Sequence, residues 1–194
     1  MIKTETRELV TDQIQVREAE NGLKTISGYA VKWEMKSHPM GYYRRFKEQF
    51  KKGAFTDSLT QDDQRALWSH NTAQVLGRTG NGTLRLFEDD VGLRFELDLP
   101  NTTLGSDTYE SIKRGDIDGV SFGFQMLKEE WDESDRDNIT RSILKAKLLE
   151  ISPVAFPAYP DSQVSARSND PYKAFVDGRN RKDLRKRLIL KTYF

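Results

Sequence analysis

The chain contains no cysteine, which excludes a disulfide framework, a thiolate nucleophile and any zinc site built on sulfur. Histidine is nearly absent as well. His38 and His70 are the whole supply of imidazole among 194 residues, and without a His pair at i, i+4 a metal site would have to rest on scattered carboxylates. Long apolar runs are also missing: no stretch approaches the ~20 residues that a membrane-spanning helix needs. The opening MIKTETRELV lacks the apolar core of a secretion signal, so the expectation is a protein that starts life in a cytoplasm and makes no use of a membrane. Nor is there a surplus of one charge. Lys and Arg number 31 against 30 Asp and Glu, which makes the chain as a whole a poor candidate for coating nucleic acid.

What is present fits one domain of modest core. The length argues against two full-sized domains, and with 36% hydrophobic and 31% charged residues and a mean hydropathy of −0.73, much of the surface must be solvated. The charge balance is uneven along the chain. From Asn169 to Phe194 eight Lys and Arg face three Asp and Glu, a net +5 that leaves −4 on residues 1–168. The chain therefore divides into a polar, weakly periodic arm (1–22), a domain (23–168) and a basic tail (169–194). In the tail, Leu184, Leu188 and Ile189 are spaced for a short amphipathic helix, and a solvated or disordered segment is an equal expectation.

Periodicity predicts a β-rich domain. LKTISGYAVKW alternates as a strand, and GTLRLFE and GLRFELDLP form a hairpin closed at Asp89-Asp90 and Gly92, with Leu93, Phe95, Leu97 and Leu99 on one face. A second hairpin joins Gly119 to about Glu130 with Ile139 to Phe156 across the polar turn DESDRDN. AFTDSLTQDD suits a short helix and TTLGSDTYESIKRGD a longer one, capped by Thr102 or Thr103 and ended by Gly115. EMKSHPMGYYRR is a loop, which leaves His38 in irregular, exposed chain. RALWSHN reads as a strand delivering His70 at its end.

Three residues are candidates for chemistry. In GDIDGVSFGF, strand parity sets Val120, Phe122, Phe124 and Met126 on one face and turns Ser121, Gly123 and Gln125 to the other. Glycines at 119 and 123 would let another backbone approach the Ser121 hydroxyl closely, although a serine between two glycines also marks an ordinary bulge. A serine nucleophile needs a base of pKa near 7, which imidazole supplies. Of the two histidines, His70 ends an apolar strand while His38 has nothing nearby to hold it; a histidine merely hydrogen-bonded at a strand end is the competing reading. Glu150 lies between Leu149 and Ile151, where a carboxylate is costly unless paired. Burial beside a histidine would offset that cost and fix the imidazole tautomer. Alternatively Glu150 sits on a wet face in line with Leu148 and Ser152, and spacing does not choose between the two.

Taken in order, SGYAVKW, EQFKKGAF, WSHN, TAQVLGRT, GTLRLFEDDVGLRFELDLP, RGDIDGVSFGF and LLEISPVAFPAYPDSQVSAR resemble the prohead maturation protease family of tailed bacteriophages, from about Ile26 to Arg167. The resemblance implies a serine endopeptidase, free of cofactor and metal, that cleaves scaffold and capsid precursor segments, and also itself, inside the immature capsid in the host cytoplasm. It implies an α+β, β-rich fold: an assemblin-like antiparallel β-barrel with a few surrounding helices, similar to the herpesvirus assembly proteases. WSHN then places the base at His70 and GVSFGF the nucleophile at Ser121. Herpesvirus assembly proteases use a second histidine as third member; here LLEISPV offers Glu150 instead. The partners implied are the major capsid protein and its scaffold segment as substrate, and a second copy of the chain, since the herpesvirus enzymes dimerise. Oxyanion donors are sought in backbone N–H groups after PVAFPAY or in Arg78. The rival readings are a non-catalytic capsid assembly or scaffold-binding factor, and a shell-binding or nucleic-acid-binding protein acting through the basic tail.

Overall fold

A computed structural model describes residues 4–10, 14–155 and 170–192. Among these residues ten strands and three α-helices follow one another as β1 (Thr4–Val10), β2 (Gln15–Glu18), β3 (Lys24–Lys32), β4 (Lys47–Phe50), α1 (Thr56–Gln61), β5 (Arg65–Trp68), β6 (Asn71–Arg78), β7 (Leu84–Glu88), β8 (Gly92–Asp98), α2 (Thr103–Lys113), β9 (Gly119–Asp132), β10 (Thr140–Val154) and α3 (Pro171–Thr192). The fold is β-rich α+β, with one sheet curled into a half-barrel.

The larger sheet runs β1-β9-β10-β5-β6, and β4 also pairs with β10; the smaller runs β2-β3-β8-β7. Pairing is antiparallel except along one edge of β10. There β4 lies beside Thr140–Ile143 and β5 beside Glu150 and Ile151, both parallel. One core fills the space between the sheets. Phe122 and Phe124 of β9 meet Phe50 and Phe55 with ring centroids 5.2 to 6.2 Å apart, and Ile26, Leu93, Phe95, Leu97, Leu148 and Ile151 complete it. Alternation in β8 predicted its inward face correctly: Leu93, Phe95 and Leu97 are buried.

Helix α2 forms as its caps dictate. The Thr102 hydroxyl accepts from the Gly105 N–H at 3.2 Å, Tyr109 and Ile112 turn inward, and Gly115 leaves the helix at a φ of 80°, a conformation that suits glycine.

Both ends of the chain are more structured than their composition suggests. The stretch read as an arm contributes β1, which pairs with β9 from Thr4 opposite Gln125 to Val10 opposite Gly119, and β2, which pairs with β3. Polar side chains conceal β1 because its buried partners are ions. The Arg141 guanidinium, 1% exposed, binds Glu5 at 2.8 Å, Glu48 at 2.7 Å and Glu129 at 2.6 Å. Arg7 joins Glu48 at 2.6 Å. From Pro171 to Thr192 the basic tail is the helix α3. Its N-cap, Asp170, accepts from the Lys173 N–H at 3.0 Å and from the N–H groups of Tyr42 and Tyr43, each at 2.7 Å. Tyr172 and Phe175 pack on Trp131, both at 5.3 Å between ring centroids. Leu184 is exposed; the side chains of Leu188 and Ile189 lie outside the described residues.

Candidate functional site

Each candidate is placed by a local feature of the strands. On β9, Val120, Phe122 and Phe124 point into the core, so Ser121 and Gly123 occupy the opposite face, as parity predicted. On β10 a register shift between Leu148 and Glu150 changes the parity. Before the shift Leu148 pairs with Phe124 and points into the core; after it Glu150 pairs with Gly123, Ile151 with Phe122 and Ser152 with Ser121. The irregularity therefore takes Glu150 out of line with Leu148 and sets it on the serine face. Spacing could not choose between the two readings of Glu150 because the choice depends on this one residue of slip.

His70 is placed by a turn. Strand β5 ends at Trp68, which pairs with Asn71, so Ser69 and His70 form a two-residue hairpin loop with φ of 46° and 61°. Such loops favour glycine and asparagine, because positive φ costs other residues roughly 1–2 kcal/mol each. The surroundings hold the strain in place: the Ser69 N–H donates to the Pro153 carbonyl at 3.3 Å, and the His70 N–H to the Ser152 hydroxyl at 3.1 Å. The expectation of a histidine at a strand end is thus sharpened to a histidine on a strained turn, docked on β10.

The turn brings the His70 ring onto Glu150, with Nδ1 2.7 Å from Oε1. A carboxylate can only accept, so Nδ1 carries the proton, and in the neutral ring Nε2 is the basic nitrogen. Nε2 is turned away from solvent. The second carboxylate oxygen is occupied too: the Ser152 hydroxyl donates to Oε2 at 2.6 Å. Ser121, beside Ser152 across the ladder, is fully buried, and its hydroxyl donates to the Arg7 carbonyl at 3.1 Å. The structure thus unites His70 and Glu150 directly. Ser121 shares their face, one strand away, with its hydroxyl directed to β1.

Gly123 has a different use from the one expected. What approaches it is the Glu150 side chain; a Cβ there would stand 2.6 Å from Oε1. Glycine clears the space into which the carboxylate folds. His38 is exposed in an irregular loop, away from this cluster. Arg78 has its guanidinium bound to Asp63, which weakens it as an oxyanion donor, and the residues following Val154-Ala155 in PVAFPAY lie outside the described residues. Among the described residues no group of three or more His, Asp or Glu is placed to hold a metal ion, and no helix is long and apolar enough to cross a membrane. Ser152 escaped the sequence reading as a functional residue. Its signal was the two-residue spacing from Glu150 in LLEISPV, which puts both side chains on one face of a strand.

Comparison with known proteins gives the family and the fold. Residues 12–175 match a family model described as the caudovirus prohead serine protease. No curated protein sequence matches the chain significantly. Among solved structures, the capsid assembly protease gp21 of bacteriophage T4 is similar with a TM-score of 0.53 at 10% identity, over 78% of this chain and 97% of that one. At that identity the likeness shows the fold.

Proposed function

The chain belongs to the caudovirus prohead serine protease family, and from that membership and the site just described we propose that it is an endopeptidase using Ser121, His70 and Glu150 to cut capsid precursor and scaffold segments during prohead maturation. The observation that carries the reading is the 2.7 Å bond from Glu150 to His70 Nδ1 on the face of the strand that presents Ser121.

The roles follow from acyl transfer. For the reaction the Ser121 hydroxyl leaves the Arg7 carbonyl, to which it donates in the resting chain, and donates to His70 Nε2 instead. Nε2 takes the proton as Oγ attacks the peptide carbonyl carbon, Glu150 stabilises the imidazolium that forms, and the same proton passes to the departing amine. Water then adds to the acyl-enzyme with His70 again as base, and the new carboxylic acid leaves Ser121 free. No cofactor is needed. An extended, unstructured scaffold segment suits a β-rich fold, because sheet edges accept peptides as an added strand. The enzyme works inside the prohead in the host cytoplasm, where a second copy of the chain is one of its neighbours and one of its substrates.

Co-expression with the major capsid protein tests the proposal. The wild-type chain should shorten the precursor and itself, and Ser121→Ala should leave both at full length. Unchanged processing by Ser121→Ala would remove the catalytic assignment, and wild-type protein that shortens nothing would favour an assembly factor that binds without cutting.

A further inference from the structure

We infer that Ser152 is a positioning residue for this reaction: its hydroxyl locks the His70 backbone and the Glu150 carboxylate into one unit, and turnover depends on that lock. The inference rests on the protease reading above.

The geometry is a closed ring of hydrogen bonds. The Ser152 hydroxyl accepts from the His70 main-chain N–H at 3.1 Å and donates to Glu150 Oε2 at 2.6 Å, while Glu150 Oε1 accepts from His70 Nδ1 at 2.7 Å. Ser152 is fully buried, so its hydroxyl has no water to fall back on and each of these bonds is held in a low-dielectric setting. Two degrees of freedom are removed at once. The bond to the N–H fixes where the strained Ser69-His70 turn sits along β10, and the bond to Oε2 fixes the rotation of the carboxylate, which aims Oε1 at Nδ1. Neither effect follows from the His70–Glu150 contact alone, since a carboxylate can pivot about its own axis and a two-residue turn can shift.

The ring also distinguishes the two serines on this face. The proton of Ser152 is held by a carboxylate and its lone pair by an amide, so the hydroxyl is committed on both sides. Ser121 donates only to a neutral carbonyl, a weaker hold than a charged acceptor exerts. Of two serines paired across one ladder, the geometry points to Ser121 as nucleophile and Ser152 as support.

The test uses the full chain and a fluorophosphonate, which phosphonylates an activated serine Oγ with loss of fluoride and needs no knowledge of the natural substrate. Saturation kinetics separate the binding constant KI from the bond-forming rate kinact, and mass spectrometry locates the adduct. Ser152→Ala should lower kinact about 100-fold, the scale of a small misplacement of a catalytic base, with KI within about two-fold. Ser152→Thr, which retains a hydroxyl, should recover most of that loss. Ser152→Cys, close in size to serine but a poor donor to a carboxylate, should resemble alanine and guards against misfolding of the alanine variant. Wild-type kinact in both Ala and Cys variants, equal loss with Thr, or an adduct on Ser152 would overturn the inference. Failure of the wild-type chain to label at Ser121 is a different result, which removes the protease reading beneath it.

Discussion

Gly123 and Glu150 are coupled by a vacancy: the carboxylate of Glu150 lies where the β-carbon of any other residue at 123 would be, 2.6 Å from Oε1. The bare backbone of the serine strand is therefore part of how the Glu150 carboxylate reaches the histidine.

Gly123→Ala tests this directly. The atom that must yield is the end of a side chain rather than backbone, so the fold should tolerate the methyl group. The change in unfolding free energy should stay within about 1 kcal/mol. The carboxylate, once pushed aside, loses its aim at Nδ1, and serine labelling should slow by about 100-fold. Parallel denaturation and labelling measurements check both halves; a variant that labels at the wild-type rate would show that the close approach has no bearing on His70.

A second expectation concerns the turn that carries His70. Ser69 has a φ of 46°, which glycine adopts without steric cost and a β-branched residue resists. Ser69→Gly should raise stability by up to about 1 kcal/mol, offset in part by the greater freedom of glycine in the unfolded chain. That corresponds to roughly 2–4 °C in Tm for a chain of this size. Ser69→Val should lower stability by about 1–2 kcal/mol. Labelling of Ser121 should survive in the glycine variant, because Ser152 and Pro153 still anchor the turn. Calorimetry of the three proteins decides the order, and a valine variant as stable as serine would show the strain to be absent.

The elements legible in the sequence are those that follow a single period. The β7–β8 hairpin, α2 with its Thr102 cap, and the long β9–β10 hairpin all alternate or repeat regularly enough to be placed. At the site, Ser121 could be oriented by parity because β9 is regular through its first six residues. Glu150 could not, since the slip after Leu148 reverses its face, and a bulge leaves no mark in composition. Strand β1 was hidden for another reason: Glu5 and Arg7 look like solvent-facing residues, and only the three-dimensional fold brings Arg141 and Glu48 to them. The docked part of α3 was hidden by averaging, because among the described residues its apolar contacts come from Tyr172, Phe175 and Val176 at one end of a helix otherwise rich in charge.

The ion cluster under β1 predicts how the protein responds to acid. Burial alone would push the Glu5 carboxyl up, but the Arg141 hydrogen bond and the charges of Arg7 and Arg141 outweigh it and hold the group below its ordinary value of 4.5. A carboxyl whose folded pKa is depressed binds more protons in the unfolded chain, so its contribution to stability is present above pH 4.5 and lost as the pH falls through the folded value. Unfolding free energy should therefore decline with acidification below about pH 4.5. Glu5→Gln, which lacks the titrating proton, should be less stable at neutral pH and show a shallower decline. Equal slopes for the two proteins would mean that Glu5 is not coupled to folding.

The last expectation separates stability from catalysis. Asp170 ties the start of α3 to the Tyr42 and Tyr43 N–H groups, and Tyr172 and Phe175 fasten it to Trp131, ten residues along β9 from Ser121, which at about 3.3 Å per residue is roughly 30 Å of strand. Removing residues 170–194 uncovers Phe46, Ile139 and Trp131, the apolar surface on which the helix rests. It also deprives the Tyr42 and Tyr43 N–H groups of their acceptor. Burial of two aromatic side chains is worth about 1.5–3 kcal/mol each when complete. Because the helix covers its patch only in part, the truncated chain should lose about 2–4 kcal/mol of stability. Its rate of Ser121 labelling at a temperature where it remains folded should equal that of the full chain, since the contacts of α3 among the described residues are with Trp131, Glu133 and the Tyr42–Tyr43 backbone. Loss of labelling in the folded, truncated protein would place α3 among the parts that catalysis requires and contradict the division of the chain into a catalytic body and a dispensable basic end.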